Sequence, residues 1–294
     1  MQRATRIPIA GVHSPVYHVS DTSSTLDLAA ALLTDTTTAT PHLTTIITDR
    51  QSAGRGRLGR TWTTPDGQAL LASTIVSLPT SFPTEMLGWL VHACALSVRD
   101  ALSPRLTPLG HTVSLKWPND VLVDGARKVC GILAQLAPAS SPFTTSAILG
   151  YGINIAQDAD HLATPQATSL YAEGDAEAGA DPTSISHTLL AQILAGLDSR
   201  IRGLVTHGNA QDCGLADEAA NALPLLGTRI ALAKPTDPDG HPAMEGIALG
   251  LSPTGSLLVA TDDGRTHDIN AGDVLATGIP LTTVHDTKEK RANN

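Results

Sequence analysis

Apolar residues recur at helical spacing in three stretches of the chain. In segment 25–33, TLDLAAALL, they follow Ser24, and serine is a favoured helix N-cap. A longer stretch, 84–102, repeats apolar residues at i, i+3, i+4 and i+7, which predicts an amphipathic helix. A third helix is predicted to run through Leu204 from the Asp181-Pro182 pair, because these residues suit a cap and a first turn.

Runs of β-branched and aliphatic residues predict strands in the same part of the chain. The predicted strands are 43–48, 68–78, 113–117, 121–123, 129–136 and 147–155. Asp124-Gly125 separates two of them and is typical of a tight hairpin turn. These elements together favour an α+β fold, with a mixed or antiparallel sheet flanked by helices.

Beyond residue 225 the pattern changes to short strands separated by turns. The predicted strands there are 229–233, 243–249, 257–260 and 266–269. A region of roughly 55 residues with this pattern is typical of a small β-barrel. We therefore expect a main domain over 1–225, a β-barrel domain over 226–282, and a disordered tail over 283–294.

Composition excludes several classes of protein. Apolar residues make up 41% of the chain, enough to bury a core, and the formal net charge of −9 argues against a dedicated nucleic-acid binder. The three cysteines form no CxxC pair, which indicates neither a disulfide framework nor a zinc site. The start of the chain lacks an export signal, and prolines break the uncharged stretch 129–157 into runs too short to cross a bilayer. We expect a cytoplasmic protein that binds neither membrane nor nucleic acid.

A loop of alternating glycine and arginine, GRGRLGR, follows the first predicted strand. It matches the GxGxxG pattern of dinucleotide-binding proteins, but a strand rather than a helix is predicted to follow it. The acidic residue that binds the ribose in those proteins, about 20 positions on, is also missing, since no Asp or Glu occurs between Asp66 and Glu85. Arg55, Arg57 and Arg60 offer bidentate hydrogen bonds to phosphate or carboxylate, while the glycines let a ligand approach the backbone. With Gln51 before it and Trp62 after it, this loop is predicted to bind an anion rather than to be a solvated turn. Its like charges should keep it mobile until the anion arrives.

Two lysines stand in unusual motifs, and they are the only lysines before residue 229. In the motif KWPND, Lys116 is followed by Asn119 and Asp120, whose side chains suit a nucleotide phosphate bridged by Mg²⁺. The alternative is a strand that ends in an Asx turn. In KVCGIL, Lys128 begins an apolar strand, where a buried ammonium needs a partner anion and can stabilise charge during acyl transfer. The alternative is a strand-end lysine that extends to solvent.

Two glycines in the strand sequence GYGIN form a further motif. Glycine inside a strand marks either the close approach of a ligand or backbone, or a β-bulge. Gly150 and Gly152 leave both interpretations open at this point.

Taken together, these motifs resemble those of the biotin–protein ligase family. The resemblance covers about Ser23 to Asn154 in ordered blocks, which are QSAGRGRLGRTW (51–62), KWPND (116–120), KVCGIL (128–133) and GIN (152–154). The C-terminal residues Gly246, Gly255 and 271–274 also resemble the SH3-like barrel of that family. The implied fold is a class II synthetase-like catalytic domain followed by this barrel, as a monomer or weak homodimer.

The resemblance implies roles for individual residues. Lys128, Arg55 and Arg57 are the expected catalytic groups. The expected biotin-binding residues are Ser24, Thr25, Leu26, Gln51, Arg55, Gly56, Arg57, Lys128, Gly131 and Gly152. The expected ATP-binding residues are Arg55, Arg57, Arg60, Trp62, Lys116, Asn119, Asp120 and Asn154, and Asp120 is also the expected Mg²⁺ ligand.

The implied reaction has two steps. Biotin and ATP form biotinyl-5′-AMP with Mg²⁺ present, and a lysine on the biotin carboxyl carrier domain of acetyl-CoA or a related acyl-CoA carboxylase then takes the biotinyl group. Two residues depart from the family pattern. Leu26 stands where the family usually has Asn, so a polar contact is lost, and Cys130 stands where Ala or Gly is common.

Two alternatives remain. Lipoate–protein ligases resemble this fold and perform the same type of reaction, although the Gly/Arg loop and KWPND favour biotin. A different class is a biotinyl-adenylate-binding sensor or repressor, which in this family binds DNA through an N-terminal winged helix. We expect no winged helix in the short stretch before Ser23.

Overall fold

A computed structural model describes residues 4–35, 37, 40–141, 144–233 and 242–279. The predicted disordered tail, 283–294, lies outside the described residues. The described parts of the chain contain two sheets and five α-helices. None of the helices in those parts is long and apolar enough to cross a membrane.

The larger sheet has eight strands. They are β1 (Thr5–Ile7), β2 (Val16–Thr22), β3 (Thr45–Gln51), β4 (Ala69–Pro79), β5 (Val113–Lys116), β6 (Asp120–Val123), β7 (Arg127–Ser141) and β8 (Thr144–Asn154). Their order across the sheet is β1-β2-β3-β4-β8-β7-β6-β5. Only β2 and β3 pair in parallel, and the other neighbours are antiparallel. The sheet is therefore mixed, as predicted.

The helices cover both faces of this sheet. They are α1 (Thr25–Thr34), α2 (Gly88–Leu106), α3 (Ala176–Ala180), α4 (Pro182–His207) and α5 (Leu215–Asn221). Side chains alternate between the faces of a strand, so neighbouring residues of β4 enter different cores. Ile75 packs with α1, whereas Val76 packs in the larger core that contains α2 and α4. The predicted flanking helices are confirmed.

Local sequence explains where the elements begin and turn. Ser24 caps α1, since its hydroxyl accepts a hydrogen bond from the backbone N–H of Leu26 at 3.3 Å. Asp181 caps α4 in the same way and is followed by Pro182 in the first turn. Asp124 and Gly125 both have positive φ, 50° and 67°, as a type I′ hairpin turn requires.

The C-terminal part forms a second, antiparallel sheet. Its strands are β9 (Arg229–Ala233), β10 (Pro242–Leu251), β11 (Leu257–Ala260), β12 (Thr266–Ile269) and β13 (Asp273–Ile279), in the order β12-β11-β10-β9-β13. This sheet packs on the start of α2. Trp89 Nε1 donates to the carbonyl of Pro253 at 2.8 Å, and the ring of His92 lies 2.9 Å from the carbonyl oxygen of Gly255. The predicted α+β fold with a C-terminal β module is confirmed.

Candidate active site

Every candidate site residue of the sequence analysis lines one cavity of about 550 Å³. The cavity lies between α1, the Gly/Arg loop, the ends of β5 to β8, and β13 of the C-terminal sheet. The predicted residues lie up to 130 positions apart in the sequence, from Ser24 to Asn154, so the fold alone brings them together. Which ligand each residue holds remains a prediction.

Buried hydroxyl and amide groups form a polar pocket at the start of α1. Gln51 Oε1 accepts hydrogen bonds from the Thr25 backbone N–H at 2.8 Å and from its hydroxyl at 3.1 Å. The hydroxyl of Ser73 donates to Thr25 Oγ1 at 2.8 Å. Ser24, Thr25 and Ser73 are all buried. These side chains are oriented by one another, so the pocket presents fixed polar groups.

Leu26 lies on the apolar side of the same helix turn. It is buried, and its side chain packs against Gly150, with Leu26 Cδ2 2.9 Å from the point where a Cβ on that glycine would lie. It belongs to an apolar cluster with Ile75 and Ile148. The replacement of the usual family Asn therefore leaves no buried polar atom unpaired at this position.

The Gly/Arg loop folds as a short hairpin. Gly56 N donates to Arg60 O at 2.7 Å, and Trp62 N donates to Gly54 O at 2.9 Å. The turn is made at Leu58 and Gly59, whose φ values are 58° and 73°. A positive φ is costly for leucine and easy for glycine, so the loop depends on the surrounding contacts to hold this turn.

Each loop arginine has an acidic or polar partner in the protein. Arg55 Nη2 lies 2.6 Å from Asp27 Oδ1, and Arg60 pairs with Asp273. Arg57 donates to Asn119 Oδ1 at 3.0 Å and to the carbonyl of Gly272 at 3.3 Å. Carboxylates from α1 and β13 therefore offset part of the repulsion among the three like charges, and the mobility of the loop before an anion binds stays a prediction.

Lys128 points into the cavity rather than into solvent. Its Nζ lies 2.7 Å from Asp120 Oδ1 and 5.6 Å from the centre of the Trp62 ring. A Cβ on Gly131 would lie 3.0 Å from Nζ, so the lysine side chain folds back over this glycine. This arrangement disfavours the alternative of a strand-end lysine that extends to solvent. Lys116 lines the same cavity from the end of β5.

The indole of Trp62 packs directly on two strand glycines. A Cβ on Gly152 would lie 2.5 Å from Trp62 Cε2, and one on Gly131 would lie 3.0 Å from Cζ3. The pairing of β7 with β8 is regular through Gly152, so the motif GYGIN marks close approach rather than a bulge. Trp62 Nε1 is buried, and no described residue accepts its hydrogen bond. Such a donor is normally satisfied by water or a ligand.

The amides of Asn119 and Asn154 are held by backbone carbonyls. Asn119 Nδ2 donates to Ile132 O at 2.6 Å, which directs its oxygen toward Arg57. Asn154 Nδ2 donates to Thr168 O at 2.8 Å, and its oxygen accepts from Gln157. Asn154 is buried beside the cavity wall, so it supports the wall while Asn119 faces the loop.

The cavity carries excess positive charge in an acidic protein. Arg55, Arg57, Arg60, Lys116 and Lys128 line it, against the carboxylates of Asp120 and Asp273. Burial lowers the pKa of Arg57, which Asp273 and Asp120 partly oppose. The chain as a whole has a net charge of −9. A local cationic excess of this kind attracts anions such as carboxylates and phosphates.

Asp273 and its neighbours in β13 were not predicted as site residues. Asp273, Val274 and Leu275 line the cavity, and Asp273 pairs with the loop. Their sequence predicts only that 271–274 belong to the barrel. More than 200 residues separate them from the loop, and no local pattern indicates such a contact.

The fold and the site define a class of protein, namely an α+β protein with a cationic cavity that suits anionic small molecules beside a paired lysine. Residues 20–154 match the Biotin/lipoate A/B protein ligase family, and residues 236–275 match the Biotin protein ligase C terminal domain. The chain is also 34% identical over 230 residues to the biotin–[acetyl-CoA-carboxylase] ligase of Mycobacterium tuberculosis, covering 78% of this chain and 77% of the relative. The chain belongs to the biotin protein ligase family.

Other relatives agree with this assignment, and a solved structure shares the fold. The biotin–[acetyl-CoA-carboxylase] ligase of Paracoccus denitrificans is 31% identical, over 75% of this chain and 85% of the relative. A bifunctional ligase/repressor of Bacillus spizizenii is 30% identical, but the match spans only 63% of that longer protein and 76% of this chain. The fold is similar to the Aquifex aeolicus biotin protein ligase in complex with biotin and ATP, with a TM-score of 0.61 at 24% identity, over 90% of this chain and 98% of that one.

Proposed function

We propose that this protein activates biotin with ATP to form biotinyl-5′-AMP and then biotinylates a lysine of the biotin carboxyl carrier domain of an acyl-CoA carboxylase. The observation that carries this proposal is that one cavity joins a buried polar pocket, a paired lysine and an arginine loop. Its volume of about 550 Å³ lies in the range of small-molecule sites. The proposed location of the reaction is the cytoplasm.

The polar pocket suits the ureido ring of biotin. That ring offers one carbonyl acceptor and two N–H donors, which match the hydroxyls of Ser24 and Thr25 and the amide of Gln51. Gly131 and Gly152 would lie against the ring system, where the absence of a side chain leaves room. The Trp62 indole now packs on these glycines and would shift to cover the bound biotin and adenine.

The charged residues suit the first chemical step. The biotin carboxylate attacks the α-phosphorus of ATP, the bond to the β-phosphate oxygen breaks, and pyrophosphate leaves. Lys128 would contact the carboxylate and the transferred phosphate, where a fixed ammonium stabilises the negative charge that develops. Arg55 and Arg57 would hold the adenylate, with Arg60, Lys116 and Asn119 toward the nucleotide.

Asp120 fits a role as Mg²⁺ ligand. Mg²⁺ is commonly bound by one or two carboxylates together with substrate phosphates. The Asp120 carboxylate lies at the cavity wall with 21% of its side chain exposed, and it is already oriented by Lys128. The bound ion would neutralise the charge of the ATP phosphates.

The second step needs little from the protein beyond positioning. The amine of the acceptor lysine attacks the carbonyl of the mixed anhydride, and AMP leaves as the amide forms. The loop 54–62 would shield the anhydride from water until the acceptor arrives. Rate acceleration then comes mainly from orientation and electrostatic stabilisation.

The test of this function is transfer to an acceptor. The purified protein is incubated with biotin, ATP, Mg²⁺ and a biotin carboxyl carrier domain, and intact-mass spectrometry follows the acceptor. We expect one biotinyl addition that depends on ATP and disappears when the acceptor lysine is replaced by arginine. No addition to the native acceptor by folded protein would contradict the proposal.

A further inference from the structure

The segment 166–168 holds the backbone of Lys128 through hydrogen bonds. Thr168, whose side chain anchors this segment, does not line the cavity. After β8 the chain returns alongside β7, where Lys128 N donates to Gln166 O at 2.7 Å and Thr168 N donates to Lys128 O at 2.8 Å. Both backbone polar groups of Lys128 are therefore fixed by residues 166–168.

This support matters because the strand pairing is irregular at this point. Val121 pairs with Cys130 and Leu122 pairs with Lys128, so Val129 is an extra residue in β7. A bulge of this kind redirects the side chains beside it. The direction of Lys128 therefore depends on contacts other than the ladder with β6.

The buried carboxylate of Glu173 links Arg127, the neighbour of Lys128 in the chain, to Thr168, which holds the Lys128 backbone. Glu173 has 6% of its side chain exposed and accepts hydrogen bonds from Arg127 Nε at 2.5 Å and Nη2 at 2.8 Å. It also accepts from the Thr168 hydroxyl at 2.6 Å. The chain of contacts runs from Glu173 to Arg127, through Lys128 and Thr168, and back to Glu173. It forms a closed ring of bonds around the lysine backbone.

The ring carries charge, and of its four residues Lys128 alone lines the cavity. Burial favours protonation of Glu173, but hydrogen bonds from Arg127 and Thr168 outweigh it and lower its pKa, so the carboxylate is ionised at neutral pH. Asp124 and His111 complete the cluster, with Arg127 Nη2 2.8 Å from Asp124 Oδ2 and His111 Nε2 3.4 Å from Glu173 Oε2. Neither Arg127 nor Glu173 lines the proposed active-site cavity.

We propose that Glu173 is a positioning residue for the reaction, which sets the direction of Lys128 through Arg127 and Thr168 without contacting substrate. The proposal rests on the proposed function of Lys128. Glu173→Gln keeps the shape and an acceptor but removes the charge that holds Arg127. A misplacement of about 1 Å in a catalytic group costs on the order of 10²-fold in rate. We expect kcat for biotin-dependent ATP–pyrophosphate exchange to fall about 10- to 100-fold, with the KM values for biotin and ATP nearly unchanged.

A spectroscopic readout follows Lys128 directly. The chain contains five lysines, so selective ¹³C-lysine labelling gives a simple spectrum, and the signal absent from Lys128→Arg identifies residue 128. Because Nζ lies 5.6 Å from the Trp62 ring centre, ring currents should displace the Lys128 side-chain signals in the wild type. In Glu173→Gln these signals should move toward those of the other lysines.

The matched control is Asp175→Asn. Asp175 also forms a buried bidentate pair, with Arg105 at 2.5 and 2.8 Å and 8% of its side chain exposed, but it makes no contact with Arg127 or Thr168. It should lower thermal stability while keeping kcat and the Lys128 signal. If Glu173→Gln does not fold, Thr168→Val removes one link of the ring and should lower kcat in the same direction.

The proposal is overturned if Glu173→Gln keeps wild-type kcat and Lys128 signals, or if Asp175→Asn changes both equally. Failure of the proposed function is distinguishable from these outcomes. It would appear as no exchange by the wild type, while the lysine spectrum would still report whether Glu173 sets the position of Lys128.

Discussion

The contacts of Arg57 predict what its loss does to the protein. The Arg57 side chain is 18% exposed, and its guanidinium joins the loop to Asn119, Gly272 and Asp273. The shortest of these contacts is 3.0 Å, to Asn119 Oδ1. A hydrogen bond from a charged group contributes about 1.5–3 kcal/mol. If loop closure retains the adenylate, losing one such contact speeds escape by about 10- to 150-fold. Arg57→Gly should therefore still form biotinyl-adenylate but release it.

The assay is biotin transfer to a protein that is not an acceptor. Wild type and Arg57→Gly are adjusted to equal rates of adenylate formation and incubated with serum albumin, and biotin on the albumin is quantified by mass spectrometry. Arg50→Ala serves as control, because Arg50 precedes the loop, lies outside the cavity and is 56% exposed. Equal albumin labelling by wild type and Arg57→Gly, with the adenylate equally retained, would refute the reasoning and leave Arg57 with a role only in its contacts within the protein.

The structure predicts three further outcomes. Lys128→Ala should lower the rate of adenylation by about 10²–10³-fold while keeping the fold. Lys128→Arg should also fail, because the planar guanidinium of arginine does not replace the compact charge of an ammonium. Single-turnover kinetics measures the rate, and circular dichroism checks the fold. Gly152→Val should abolish biotin binding in calorimetry while ATP still binds. The valine side chain would enter space that the Trp62 ring now fills, since a Cβ at this position would lie 2.5 Å from Trp62 Cε2. Gly246→Val should destabilise the C-terminal sheet by about 1–3 kcal/mol in denaturant unfolding, since a Cβ at this position would lie 2.4 Å from Ala260 O. Gly250→Val in the same strand is the control, because a Cβ there meets nothing within 4 Å.

Elements with strong periodicity or clear caps could be predicted from the sequence. The helix after Ser24, the strand ending at Pro79 and the turn at Asp124-Gly125 depend on local patterns, and all three are present. The strands β9, β11 and β12 match their predicted bounds. The predicted helix 84–102 begins instead with a 3₁₀ turn, Thr84–Leu87, and its α-helical part runs from Gly88 to Leu106.

Elements with weak local signals were missed. The strand β2, VYHVSDT, has polar residues at four of its seven positions and is stabilised by parallel pairing with β3 rather than by its own pattern. The strand β13 is an edge of the small sheet and pairs with β9, some 40 residues earlier. Tertiary pairing decides such strands, and propensity alone does not reveal it.

The candidate site could be assembled from motifs but not its internal contacts. Motif order placed Gln51, the arginine loop and both lysines in one site, and these residues do line one cavity. The pairs Arg60–Asp273 and Arg127–Glu173 join distant segments, so no local spacing could indicate them. The carboxylates that offset the loop charges, Asp27 and Asp273, likewise lie in distant segments of the sequence.

The central claim is that this cavity activates biotin, and pyrophosphate exchange tests it most directly. The folded protein is incubated with Mg²⁺, ATP and labelled pyrophosphate, together with biotin, lipoate or neither, and labelled ATP is counted. We expect exchange with biotin to be well above that in the sample without biotin or lipoate, and exchange with lipoate to be low. Exchange with lipoate alone, or none above the control with biotin, would contradict the account.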